Sequence, residues 1–220
     1  MRRYAVTVTG TNPLLMHADS VEWTDQIKLW QKDPENKKVS IAGDDRSPAW
    51  TWIGALYHDG KVVAMPSDNL MTALREGGGM VPVPGAKGNK TFKSQTQSGL
   101  LVNEAYWPLI INGATIPVDE IKQLLNEEDF SRHQETAKRL GFELFVKRAA
   151  VNRAKHVRVR PRFDRWQVSG TISVFDEQIT TEVLISVLDM AGRYKGLCDW
   201  RPSSKTPGPF GTFVTEIQEV

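Results

Sequence analysis

Seven consecutive residues, Val157-Arg158-Val159-Arg160-Pro161-Arg162-Phe163, alternate apolar and cationic side chains without interruption. A two-residue period suits a β-strand and no helix, because successive side chains of a strand leave on opposite faces. Such a strand carries Val157, Val159, Pro161 and Phe163 on one side and three arginines on the other. It commits the chain to a sheet with one buried and one cationic face. Residues on one face of a strand repeat every ~6.6 Å, close to the spacing of phosphates along an extended single strand. A ladder of guanidinium groups at that interval follows a sugar-phosphate backbone without reading bases.

The ladder sits in a wider basic block. Between Lys147 and Arg165 stand eight cations, Lys147, Arg148, Arg153, Lys155, Arg158, Arg160, Arg162 and Arg165, against the single anion Asp164. That segment is net +7, and because the whole chain is only +2 the remainder carries −5. Clustered cations of this kind are the electrostatic footprint of polyanion binding. The plainer alternative is a solvated strand face balanced by carboxylates from a neighbouring segment. A second basic stretch, Gly77 to Ser98, is rich in Gly, Pro, Lys, Ser and Thr and holds Lys87, Lys90 and Lys93 with no acid between them. Its composition predicts a mobile cationic loop. It is not a phosphate-binding P-loop, since Asn89 separates Gly88 from Lys90 and position 83 is valine.

The rest of the chain is that of an ordinary soluble protein, 220 residues with 40% hydrophobic and 25% charged, enough for one core and a satellite lobe. Cys198 is the only cysteine, so no intramolecular disulfide forms and a cysteine-based zinc site is nearly excluded. A cytosolic setting is expected. Residues 4–9 alternate apolar and hydroxyl side chains where a signal peptide would run unbroken, and the longest apolar run, Ala105 to Ile111, is far short of the ~20 residues of a membrane helix.

Hydrophobic spacing predicts strands at Tyr4 to Thr9, Tyr106 to Ile111, Phe142 to Val151, Val157 to Phe163, Arg165 to Phe175 and Phe213 to Ile217. It predicts helices from Ser20, from Ser47-Pro48 through Trp50 and Trp52, from Ser67 to Gly77, from Val118 to Leu125, and from Thr180 to Gly192, with Ser67 and Thr180 as N-caps. His58-Asp59-Gly60-Lys61 reads as a hairpin turn, and Asn126 to Arg139 as a polar connection. Two strand-helix-strand passages separated by insertions suggest an α+β fold with a ferredoxin-like, RRM-like split βαβ core. The expected layout is a single domain over 1–220 with insertions at about 18–62 and 78–140.

No histidine pair has ligand spacing, so no metal or other cofactor is expected. Asp44-Asp45 are weak candidates for holding Mg²⁺ beside a phosphodiester, and His17 for a general base. A surface turn and a structural histidine are their plainer readings. Of the seven tryptophans, Trp200 before a Gly/Pro loop is the best candidate to stack on unpaired bases, core packing being the default for each.

Three separated passages resemble a known family. Ala64-Met65-Pro66-Ser67-Asp68-Asn69-Leu70-Met71-Thr72-Ala73-Leu74-Arg75 is similar to the Ile-Pro-Gly-Ser-Ser-Leu-Lys-Gly-Ala-Leu-Arg helix start of the RAMP superfamily, the RNA-binding backbone and processing subunits of CRISPR effector complexes. Tyr4 to Thr9 running into Gly10 and Pro13-Leu14-Leu15-Met16-His17 resembles that superfamily's first strand and its exit. Ala191 to Leu197, then Gly208-Pro209-Phe210-Gly211-Thr212-Phe213, resembles its glycine-rich loop and closing strand. The chain also resembles phage and mobile-element proteins that end in Gly-Leu-Gly-Asp-Trp-Arg-Pro, with Cys198 here in place of the second glycine. Asp68 and Asn69 depart from the superfamily's usual small residues, and Ser203 to Pro207 interrupt the C-terminal loop.

The resemblance implies a subunit in the cytoplasm of a bacterial host cell that binds single-stranded RNA, or DNA, in repeated copies along the strand, with other effector subunits as further partners. It adds Ser67, Asn69, Gly192, Arg193, Gly196, Trp200, Arg201, Gly208 and Gly211 to the expected interface. Some such subunits cleave RNA with a loop aspartate, and Asp44 or Asp45 lies in the corresponding region. The competing expectations are therefore a RAMP-type ribonuclease and a phage structural or assembly protein that never meets nucleic acid.

Overall fold

A computed structural model describes residues 1–151 and 154–220. In chain order the elements are β1 (Arg2–Gly10), β2 (Leu14–Leu15), α1 (Val21–Lys32), β3 (Ala64–Pro66), α2 (Ser67–Gly78), α3 (Lys93–Ser98), β4 (Leu100–Val102), β5 (Tyr106–Pro108), β6 (Ile110–Ile111) and β7 (Ala114–Thr115). There follow α4 (Val118–Lys122), α5 (Phe130–Arg139), β8 (Glu143–Val151), β9 (Ala154–Phe163), β10 (Gln167–Val174), α6 (Thr181–Met190) and β11 (Phe213–Glu219). The class is α+β, as the spacing predicts. The chain forms two units: Met1–Leu14, Ala64–Thr115 and Asp164–Val220 make the first, Leu15–Val63 and Ile116–Phe163 the second. Residues 18–62 lie in the opening segment of the second unit, residues 78–115 in the first unit and the basic hairpin in the second.

In the first unit β11, β1, β10 and β4 lie side by side, every neighbour antiparallel, and the short β6 and β7 extend the sheet beyond β10. The helix α2 lies between β1 and β4 in the chain, and α6 between β10 and β11. The strand period buries Tyr4, Val6 and Val8 of β1 with Ile172 and Val174 of β10, together with Leu70, Ala73 and Leu74 of α2 and Leu184, Val187 and Leu188 of α6. Cutting one such leucine to alanine costs about 2–5 kcal/mol. Where α2 and α6 meet, a Cβ on Gly77 would lie 2.5 Å from the Val187 carbonyl oxygen, so only glycine permits that approach. The other sheet face is polar and cross-linked, with Thr7 bonded to Ser169 and Arg3 and Asn103 donating to Thr171.

The second unit is built on the β8–β9 hairpin, with β2 on the other edge of β9 and the Met16 N–H donating to the Pro161 carbonyl. Its core joins Trp52, His133, Phe142 and Phe163, with Trp52 to Phe142 5.8 Å and Phe142 to Phe163 5.1 Å between ring centroids.

Several local expectations are corrected. Asn126 to Arg139 is not simply a connection, for it contains α5. Asp129 caps that helix through Ser131, and only His133 and Ala137 on it are buried, too thin an apolar stripe to register as a period. Within the expected loop, Lys93–Ser98 is helical, and backbone pairing of Val83 with Lys90 and of Phe92 with Val81 closes the preceding residues into a short hairpin. Tyr106 to Ile111 splits into β5, which pairs β3, and β6, which pairs β10. The segment after Pro48 is a tight three-residue-per-turn helix, Ala49–Ala55. The turn at His58-Asp59-Gly60-Lys61 closes on a single antiparallel bridge between His58 and Val63, while Val62 bridges Pro117. Ser67 does not cap α2: Pro66 holds the cap position, and the Ser67 N–H donates to the Ala105 carbonyl instead. Thr180 does cap α6, accepting from the Val183 N–H. Gly192 lies inside a wider turn, Ala191–Lys195, that continues α6.

Candidate nucleic-acid interface

The β8–β9 pairing sets Glu143 opposite Arg162, Phe145 opposite Arg160 and Lys147 opposite Arg158. Directly paired residues share a face, so Lys147, Arg158, Arg160 and Arg162 form one cationic face while Leu144, Val159 and Phe163 are buried on the other side. Burial covers only the basal half of the hairpin. Toward the tip Val146 is 40% exposed, and Arg148 and Lys155 stand exposed on the side opposite Lys147 and Arg158. No Asp or Glu occurs between Glu143 and Asp164. Arg153 lies outside the described residues.

The basal arginines have partners within the second unit. Residues 43–46 run along β9, with the Val157 N–H donating to the Gly43 carbonyl and the Asp45 N–H to the Val157 carbonyl. Gly43 has φ +76°, and a Cβ there would strike the His156 ring, so this close passage requires glycine. The segment delivers the Asp45 carboxylate to the ladder. Arg158 donates to its Oδ1 at 2.9 Å, Arg160 to its Oδ2 at 3.0 Å and the Val159 N–H to Oδ2 at 3.1 Å. Arg162 pairs with Glu143 at 3.6 Å and lies 6.0 Å over the Phe145 ring. The side chains are 36%, 15% and 28% exposed for Arg158, Arg160 and Arg162. The ladder is thus partly balanced by carboxylates, in keeping with the plainer alternative for these three positions, while Arg148 and Lys155 lie exposed nearer the tip.

His17, Asp44 and Asp45 come together although nothing in their sequence spacing joins them. His17 Nε2 lies 3.2 Å from the Arg160 guanidinium. Asp44 accepts from the Arg46 guanidinium, at 2.9 and 2.6 Å, and from the Arg46 N–H at 2.9 Å, and these bonds hold its carboxyl below the usual carboxylate range against the opposing effect of burial. Both aspartates therefore serve arginines. Among the described residues no group of three or more His, Cys, Asp or Glu is arranged to hold a metal ion. These side chains line a cleft of about 300 Å³ together with Ser20, Trp23 and Thr24, which sequence reasoning missed because they read as the start of an ordinary helix.

In the first unit Lys87, Lys90 and Lys93 are exposed, as is Arg165. The C-terminal candidates are bound into the fold. Arg201 donates to Ser203, to the Cys198 carbonyl and to Glu76, and Arg193 bonds Asp189 one turn back. Asn69 donates to the sulfurs of Met65 and Cys198, whose thiol burial pushes up to about 12. Trp200 is half-buried against Phe210, with ring centroids 5.3 Å apart. A Cβ on Gly192 would strike the Phe213 carbonyl, one on Gly208 would strike Trp200, and one on Gly196 would press on Pro202 and Arg201. Gly211, at φ +72°, leaves no room for a side chain against the Leu197 carbonyl. Close packing within the unit accounts for all four glycines.

No family model matches the chain, and no curated protein matches it. Among the described residues no helix is long and apolar enough to cross a membrane.

Proposed function

We propose that this protein is a non-catalytic subunit that binds the sugar-phosphate backbone of single-stranded nucleic acid, RNA before DNA, and sits in repeated copies along the strand. The observation that carries this reading is the β8–β9 hairpin, anchored by a buried base and exposed toward its tip, with cations on both faces and no acid beyond Glu143 at its base. Lys147 and Arg158 on one side and Arg148 and Lys155 on the other offer phosphate contacts along either face of one element. The strand order β11-β1-β10-β4, with a helix in each strand-helix-strand passage, supports a ferredoxin-like core and, with it, the RAMP resemblance. Cleavage at Asp44, Asp45 or His17 has less support, because both carboxylates are engaged by arginines.

Fluorescence anisotropy with labelled single strands at several salt concentrations tests it. Lys147→Ala, Arg148→Ala and Lys155→Ala together are expected to weaken binding to a similar degree for unrelated sequences. The triple variant should also flatten the slope of log affinity against log salt by up to about 0.7 per lost contact. An unchanged affinity and slope would overturn the assignment.

A further inference from the structure

We propose that the cleft beside β9 is a site for one nucleotide, with its phosphate at Arg158 and Arg160 and its base against Trp23. The inference deepens the strand-binding reading and rests on it for the strand as a source of the ligand; free mononucleotides share the same chemistry. Size comes first: about 300 Å³ is at the small end of ligand pockets and suits one nucleotide, not two. The two arginines on its wall are held in place through Asp45. Arg158 gives one of its five N–H donors to that carboxylate, and a guanidinium offers the remainder in a fork that matches a phosphate.

Trp23 supplies the aromatic wall. Its indole N–H donates to the Thr51 carbonyl at 3.0 Å, Trp50 meets it edge-on at 5.4 Å, and Gly54 lacks the Cβ that would collide with it. A tryptophan fixed on three sides and lining an open cleft is a ready stacking platform, since every base has a π-face. The hydroxyls of Ser20 and Thr24 on the same wall suit a sugar. Cations, aromatic ring and hydroxyls within one small cleft match the three parts of a nucleotide, and no simpler ligand uses all three.

Isothermal titration calorimetry of the full chain with the four ribonucleoside monophosphates, their nucleosides and inorganic phosphate tests the site. At least one monophosphate should bind about tenfold or more tightly than its nucleoside and than phosphate alone. Arg158→Ala removes a phosphate donor, and Thr24→Trp fills the cleft from exposed helix surface; each should lower that affinity about tenfold or more. Absence of binding by all four monophosphates, or retained affinity in either folded variant, overturns the proposal. An excess of a twelve-nucleotide strand that displaces the mononucleotide makes the strand the source, and simultaneous binding makes it the free nucleotide. The Lys147, Arg148 and Lys155 triple variant leaves the cleft intact, so loss of strand binding and loss of mononucleotide binding are seen separately.

Discussion

His133 is fully buried, and its two ring nitrogens have opposite duties: Nδ1 accepts from the Trp52 indole at 3.0 Å, so Nε2 carries the proton toward the Glu127 carbonyl at 2.9 Å. Only the neutral ring satisfies both bonds. Burial accordingly lowers its pKa below the ordinary 6.5. A histidine with a depressed folded value contributes stability that is fully present above the unfolded value and is lost as pH falls from about 6.5 toward the folded value. Unfolding followed by Trp fluorescence should therefore show a drop between pH 7.5 and 5.5 that shrinks in His133→Gln. An equal drop in that variant would place the pH dependence elsewhere.

Among the elements, the stretch 43–46 does more than connect, because it is stitched to β9 by backbone bonds and ends in the carboxylate that joins Arg158, Arg160 and the Val159 N–H. Asp45 both fastens the strand and lowers the net charge of its cationic face. Asp45→Asn should separate those effects. The second unit is expected to lose about 1–3 kcal/mol of stability as a charged acceptor becomes neutral. Strand affinity at low temperature is expected to rise about two- to fivefold as two guanidinium groups lose their counter-charge. Chemical denaturation and anisotropy measure the two. A fall in affinity would mean that the carboxylate chiefly positions the arginines.

At the scale of the whole molecule, a formal charge of only +2 conceals a hairpin whose single acid is Glu143 at its base, and one hairpin of nine- and ten-residue strands follows only a few nucleotides. Repeated copies lengthen the footprint and add avidity without new contacts. Light scattering with strands of increasing length is expected to give mass that rises in steps, and one copy at every length would rule the array out. The strands β1, β8, β9, β10 and β11 and the capped helices α1 and α6 were legible in the sequence, because two-residue or helical periods and cap residues are written locally. The cationic face of β9 was legible for the same reason. The short strands β3, β4 and β6, the helix α5 and the failure of Ser67 to cap depend on partners far along the chain, so their local spacing carried too little signal. His17, Asp44, Asp45, Arg158 and Arg160 were named from the sequence, but their assembly into one cleft was hidden: Asp45 lies 113 residues from Arg158 and Trp23 is 28 from its carbonyl partner. Periodicity determines which face a side chain takes, but which carboxylate neutralises an arginine is decided by the tertiary fold, since the attraction acts through space and is blind to sequence separation.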